Sequence, residues 1–245
     1  MDLMETELEL YPEEYLLEED EMGESNAQFR LIKYLVEVLE WYYRLKDWLI
    51  AGNLELHHPA IQNTQAKITP DVIVFKGILI TEEERQSLSS WDISSEALAP
   101  PVVFEISSRA TWRNDIWAGS QRKPAIYGRI GVKEYFTYDP HQPRIWKGLE
   151  ERRLLGWRYE NSEPVELEAD EQGRLWSEEL ESWLVADGSF LRLYDRDGNL
   201  RLREGEAREQ ARRLIEQRAQ SQQEAFEQRI LELEREMQQL REQKP

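Results

Sequence analysis

The sequence predicts an α/β protein: one capped amphipathic helix, apolar runs that read as strands, a second helix, a run of hairpins, and a long charged helix at the end. Three observations carry this reading. Ser25 and Gln28 stand at capping-box spacing, where each side chain satisfies an orphan backbone N–H of a helix start. The segments "DVIVF" and "PVVFEIS" are short and rich in Val, Ile and Phe, as in strands covered on both faces. From about Glu204 the chain turns to Glu, Gln and Arg, with apolar residues at helical spacing.

Taken in order, Phe29, Ile32, Val36, Leu39 and Tyr43 recur at steps of three and four, which predicts one apolar helical face reaching about Asp47. "WLIAGNLELHH" is strand-like, and Thr81 to Pro100 reads as a polar loop with one helical turn. Pro124 suits the first turn of a second helix, which Gly131 ends. "KEYFTYD" is a further strand, closed by Asp139-Pro140. From Arg144 to Leu202 the pattern is of short antiparallel hairpins, clearest in "LRLYDRDGNLRL" around the turn dipeptide Asp197-Gly198. Phe226, Ile230, Leu233, Met237 and Leu240 then form a 4-3-4-3 seam. One helix over 206–243 is ~55 Å long and too polar to bury itself alone, which predicts a homodimeric coiled coil. The expected organisation is an acidic arm over 1–24, a core domain over 25–203 and a coiled-coil helix over 204–245.

Composition narrows the chemistry. With 245 residues, 40% of them hydrophobic, the chain can bury a substantial core. It has no cysteine, which excludes disulfides, thiolate catalysis and Cys-ligated metals. Of the three histidines, His57 and His58 are neighbours that point to opposite faces of a strand, so a His-rich metal site is not expected. No apolar run approaches the ~18 residues of a membrane span, and the acidic N-terminus does not resemble a signal peptide. A cytoplasmic protein with no membrane contact is expected. The net charge of −18 opposes nucleic-acid binding at first sight, but Met1 to Ser25 hold eleven acidic residues and no Lys or Arg, leaving −7 on the rest. Between 109 and 133 the balance reverses: Arg109, Arg113, Arg122, Lys123, Arg129 and Lys133 face only Asp115. Such a stretch can hold a phosphate locally.

The chemistry-bearing residues are carboxylates set against apolar strands. Asp71 directly precedes "VIVF", and Glu105 lies within "VVFEI", where a buried carboxylate must be paired. Two carboxylates ~4 Å apart repel by ~4 kcal/mol at an effective dielectric of 20. Such a pair shares a proton or holds a cation. A hard divalent cation suits oxygen ligands and activates water near a phosphate. Lys123, ahead of a helix-starting proline, adds a charge that orients the water or neutralises the phosphate. Each residue alone has a structural explanation: strand entry for Asp71, an ion pair for Glu105, a solvated surface for Lys123.

The ordered set "PD", "E-I-S", "K-P-x-x-Y" and "GVKEYFTYDP" resembles the PD-(D/E)XK nuclease superfamily, and within it a bacterial endonuclease family known as Uma-two. The resemblance covers roughly Ser25 to Arg203, with Gly131 to Pro140 the most distinctive string. It implies a restriction-endonuclease-like core, a mixed central sheet flanked by helices. By position it makes Asp71 and Glu105 the metal-holding pair, with the Ile106 carbonyl as a further ligand and Mg2+ or Mn2+ as cofactor. The motif lysine usually stands two residues after the glutamate, where this chain has Ser107; Lys123 on the following helix takes its part. Glu24, Asp115 and Tyr127 match supporting positions, and Lys123 and Tyr127 share one helical face.

The function expected is therefore Mg2+-dependent hydrolysis of DNA phosphodiester bonds by a homodimer, with Arg109, Arg113, Arg122 and Arg129 on the nucleic-acid backbone. The alternative is a nuclease-like interaction protein that acts through its coiled coil and cleaves weakly or not at all. In a third reading the acidic arm covers the basic face until displaced.

Overall fold

The computed structural model describes residues 25–61, 68–93, 98–149 and 151–242. The acidic arm, with Glu24, lies outside the described residues. The chain divides into two compact units, residues 1–201 and 202–245.

In the first unit, helix α1 spans Asn26–Tyr43 and starts at the expected capping box, Ser25 accepting from the Gln28 backbone and Gln28 from that of Ser25. Its buried face is broader than the expected one and omits only Phe29 from it. Ile32, Leu39 and Tyr43 are buried as expected and Val36 packs against the core, but Phe29 is exposed, Leu31, Tyr34, Leu35 and Val38 widen the buried face, and the helix stops at Tyr43 rather than Asp47. "NAQFRLIKYLVEVLEWYY" is apolar over most of its circumference, so packing against the sheet chooses between overlapping stripes.

The strand-like "WLIAGNLELHH" is two strands, β1 (Trp48–Gly52) and β2 (Glu55–His57), separated where Asn53 takes a positive φ of 52°. Strands β3 (Val72–Lys76), β5 (Val102–Ile106) and β6 (Glu134–Tyr138) fall on the expected apolar runs. The segment expected as a loop with one helical turn holds a short capped helix, α2 (Glu82–Ser87), and, beyond the expectation, a short strand, β4 (Ser90–Asp92), which pairs with β2. Helix α3 (Trp112–Ile116) has no counterpart in the expectation; α4 (Lys123–Arg129) does, with Pro124 in its first turn and Gly131 beyond its end at φ 88°. Strands β7 (Leu154–Glu160), β8 (Glu163–Glu166), β9 (Leu175–Ser177), β10 (Ser182–Asp187) and β11 (Phe190–Tyr194) follow. The Asp197-Gly198 turn forms, but it closes a single bridge, Tyr194 to Leu200, rather than a full hairpin.

The central sheet has the order β1-β3-β5-β6-β7-β8, with β5 and β6 parallel and every other neighbour antiparallel. This is the mixed sheet flanked by helices that the sequence predicts. Alternation along each strand divides the core in two. Val72, Val74, Val102, Phe104, Ile106 and Phe136 pack on α1 and on the small antiparallel sheet β9–β11. Ile73, Phe75, Val103 and Tyr135 face Trp112 and Ile116 of α3 and Ile126 and Tyr127 of α4.

Gly128 lets α4 lie close to β7 and β8. A Cβ there would stand 2.2 Å from the Ser162 carbonyl oxygen and 2.7 Å from the Tyr159 ring. A backbone oxygen cannot retreat as a side chain can, so Gly128→Ala is expected to destabilise the fold by about 1–3 kcal/mol. A thermal melt indistinguishable from wild type would show that α4 docks more loosely.

The second unit holds helix α5 (Glu204–Glu242), one exposed 39-residue helix. Among the described residues no helix is long and apolar enough to cross a membrane.

Candidate active site

Four segments meet at the C-terminal end of β5. Because Phe104 and Ile106 face α1, alternation turns Glu105 toward α4. There Tyr127 OH donates a hydrogen bond to Glu105 Oε1, and Lys123 Nζ lies 3.2 Å from the same oxygen. One helical turn separates Lys123 and Tyr127, so both reach one carboxylate. Asp71 stands one residue before β3, whose Val72 pairs with Phe104. That register sets Asp71 beside Glu105, and Asp71 Oδ2 accepts from the Ile106 backbone N–H at 2.5 Å.

Lys123 has a second carboxylate partner. Its Nζ donates to Asp115 Oδ1 at 2.8 Å, bridging the eight-residue interval between the end of α3 and the start of α4. Asp115 is itself held: Oδ2 accepts from Ser107 Oγ at 2.8 Å and from Thr111 Oγ1 at 3.3 Å, and its backbone carbonyl accepts from Tyr135 OH at 2.9 Å. Thr137 Oγ1 lies 3.1 Å from Ser107 Oγ. The residue that stands two beyond Glu105, Ser107, thus fixes the carboxylate that fixes Lys123. On the other side of the sheet Gln28 Nε2 donates to the Ile106 carbonyl at 2.7 Å, tying the first turn of α1 to the end of β5.

The electrostatics follow from burial. Asp71 is pushed well above the usual carboxylate range, first by burial and then by Glu105, against the pull of Lys123 and the Ile106 N–H. Glu105 is also raised, chiefly by burial, with Lys123 opposing and Asp115 adding to the rise. Burial alone would lower Lys123, but Asp115, Glu105 and Asp71 outweigh it and hold the ammonium above its ordinary value. Three carboxylates around one ammonium leave an excess of negative charge.

A second buried glutamate provides the contrast. Glu134 accepts from Arg158 at 2.9 Å, from the Glu178 N–H at 3.0 Å, from the Glu179 N–H at 3.3 Å and from Ser177 Oγ. Donors saturate both of its oxygens, as expected of a structural carboxylate. At Asp71 and Glu105 the described contacts fall on Oδ2 and Oε1, leaving one oxygen of each for another ligand.

Among the described residues no three Asp, Glu, His or Cys side chains form a ready metal cage. The donors at β5 suit a smaller share of a coordination sphere. Mg2+ is commonly held by one or two carboxylates, with water and substrate oxygens completing its shell. Asp71, Glu105 and the second lone pair of the Ile106 carbonyl are all hard oxygen donors, and a cation would relieve their uncompensated charge. The residues present fit such an ion.

Of the residues selected from the sequence, Asp71, Glu105, Ile106, Asp115, Lys123 and Tyr127 come together. The arginines make contacts of their own. Arg113 stacks on Trp112 and Trp117 with its guanidinium carbon 4.5 and 5.5 Å from the ring centres. Arg122 donates to Asn114 Oδ1 at 2.5 Å, and Arg129 to the Ser120 carbonyl at 2.7 Å. Arg109 is exposed. Three of the four therefore brace the segment between α3 and α4. Sequence reasoning missed Ser107 and Thr111 as holders of Asp115 and Thr137 as the neighbour of Ser107, and gave Gln28 only its capping role. Small hydroxyl residues carry no distinctive pattern; only the fold gathers them around Asp115 and Ser107.

Against known proteins, the family model described as "Uma2: Putative restriction endonuclease" matches residues 6–186. No curated protein matches. Among solved structures, the chain is similar to a crystal structure described as a "putative nuclease belonging to DUF820" from Anabaena variabilis, at 13% identity over 65% of this chain and 76% of that one, with a TM-score of 0.43. Since the family model spans well over half of the sequence and takes in every residue of the β5 site, the chain belongs to the Uma2 family of restriction-endonuclease-like proteins.

Proposed function

We propose that this chain is a divalent-metal-dependent endonuclease that hydrolyses DNA phosphodiester bonds at the end of β5. The observation that carries the reading is the pair of under-compensated carboxylates, the half-buried Asp71 and the buried Glu105, beside a lysine. Asp71, Glu105 and the Ile106 carbonyl hold the cation. When bound, Mg2+ or Mn2+ supplies charge neutralisation at the phosphate and acidifies the attacking water. Lys123 keeps its proton, because the surrounding carboxylates favour the ammonium. Its part is to donate from Nζ to a phosphate oxygen or to orient the water, not to accept a proton. Asp115 positions Lys123, and Tyr127 orients Glu105. Glu24 precedes α1, whose first turn reaches the site through Gln28, and is assigned a supporting role. Arg109, Arg113, Arg122 and Arg129 contact the DNA backbone, positioning the strand without reading its sequence. A homodimer formed through α5 brings two such sites to one duplex.

A second reading, a nuclease-like interaction protein that does not cleave, is favoured by one observation. Lys123 already pairs with both Glu105 and Asp115, so the site is partly satisfied from within. Incubating the full chain with supercoiled plasmid separates the two. Nicked and linear products in Mg2+ or Mn2+, abolished by chelator, are expected of the nuclease. Intact plasmid with folded protein in both metals would favour the second reading.

A further inference from the structure

The exposed apolar side of α5 has an internal charge pattern that specifies more than self-association. Phe226, Ile230, Leu233 and Met237 are 43–75% exposed and follow one another at 4-3-4 spacing. In heptad terms Ile230 and Met237 are a positions, Phe226 and Leu233 d positions, and Leu240 continues the series. Upstream the same register meets Glu209, Arg212 and Glu216, which cannot form an apolar seam. That half instead supports itself as a solvated helix through pairs such as Arg213–Glu209 at 2.8 Å and Arg212–Glu216 at 3.3 Å. The helix is thus a stalk followed by a short zipper.

We propose that α5 pairs with a second copy of this chain as a parallel, in-register coiled coil confined to residues 223–240. This rests on the dimer reading given above and adds orientation and extent to it. The flanking charges decide the orientation. In a parallel pair each g residue faces the e residue five positions on in the other helix. Here Arg229 meets Glu234 of the second copy, twice by symmetry, while Gln222 opposite Glu227 is neutral. The charged g–e pair inside the coil is attractive.

Antiparallel pairing sets g against g and e against e, and no register satisfies the charges. Seating Ile230 on Leu233 of the second copy pairs Arg229 with Glu236, but forces Glu227 against Glu234. Seating Met237 on Leu233 of the second copy sets Glu234 against Glu234 and Glu236 against Glu236. Like charges directly opposite are unfavourable, so these arrangements are selected against. Arg229 already pairs with Glu232 of its own helix at 2.8 Å, so its interchain contact exchanges one exposed partner for another. The charges therefore set orientation more than affinity, and the apolar seam supplies the association.

The absence of native cysteine makes the test direct. In a parallel coil the two copies of an a position face each other within the Cα separation a disulfide accepts, ~4.4–6.8 Å. Full-length Ile230→Cys and a control with the cysteine on the outer face, Gln228→Cys, would be equilibrated in a glutathione redox buffer, with sedimentation of the unmodified chain alongside. The expected result is a wild-type mass of twice 29.2 kDa and a cross-linked dimer for Ile230→Cys at least about tenfold above the control. Arg229→Glu should weaken the dimer about tenfold, and adding Glu234→Arg should restore it. A dimer that cross-links only when Ile230→Cys and Leu233→Cys chains are mixed would overturn the parallel arrangement and leave the dimer standing. A monomer at every concentration, with no cross-link at 230, would overturn both; neither outcome touches the plasmid assay.

Discussion

Glu105→Gln is expected to lower Mg2+-dependent plasmid cleavage by about a thousandfold while leaving the metal-free protein at least as stable as wild type. The activity loss follows from charge. A bound cation contributes several kcal/mol of transition-state stabilisation, and each ~1.4 kcal/mol is a factor of ten in rate. The amide keeps the shape of Glu105 and its hydrogen bond from Tyr127, but not the charge proposed to hold the ion. Stability moves the other way, because the wild-type carboxylate is buried and repelled by Asp71. Removing one of two like charges relieves that repulsion, a gain of the order of 1 kcal/mol typical of substitutions that relax a strained functional site. Loss of both activity and stability would instead make Glu105 a structural residue of the Glu134 type.

Lys123→Ala is expected to lose activity as well, by about a hundredfold or more, but with the opposite effect on folding. It removes the cation common to Glu105 and Asp115 and leaves three carboxylates with no counter-charge. Breaking a buried pair by deleting one partner costs about 3–5 kcal/mol, and the 21% exposure of the lysine side chain puts the effect at the lower end. The pH dependence discriminates further. Lys123 is raised, so its contribution is complete below the ordinary lysine value and is lost only in strong alkali. Asp71 and Glu105 are raised, so the folded protein binds their protons more tightly than the unfolded chain does. Metal-free stability is therefore highest while they are protonated and falls as pH rises through their elevated range. Glu179, which Lys76 and Lys133 hold below its usual value against burial, acts with the opposite sign and only as pH falls. The fall with rising pH should be steeper in Lys123→Ala and shallower in Glu105→Gln, measured as thermal midpoints in chelator. Identical slopes in all three proteins would mean that the cluster does not ionise as a unit.

The elements legible in the sequence are those whose identity is decided locally. The capping box fixes the start of α1 through two side chains within one turn, and the runs at β3, β5 and β6 can be little other than buried strands. Pro124 and Gly131 bound α4 by backbone chemistry alone. The face of α1 was legible through Ile32, Val36, Leu39 and Tyr43, but its width was not: Phe29 and Leu31 lie on overlapping stripes, and only the sheet decides which is covered. Nor was α3: "WRNDI" is short and has no side-chain cap, and it is helical because Trp112 and Ile116 pack into the core.

The site divides along the same line. Asp71, Glu105, Lys123 and Tyr127 stand out because each is a polar residue where a strand or helix face demands an explanation. Ser107, Thr111, Thr137 and the second role of Gln28 are contacts across 4 to 78 positions of sequence, and nothing in a serine or a glutamine announces such a partner. The arginines were legible as charge but not as structure: stacking on Trp112 and Trp117 and bonding to Asn114 and Ser120 emerge only once α3 and α4 are brought together.

The most direct measurement is calorimetric titration of Mg2+ into the metal-free full chain and into Glu105→Gln. If Asp71 and Glu105 exist to hold a cation, the wild type binds with release of protons to the buffer, and binding is lost or weakened at least about tenfold in the variant. Equal binding by both proteins, or none by the folded wild type in Mg2+ and Mn2+ alike, would contradict a metal site at the end of β5.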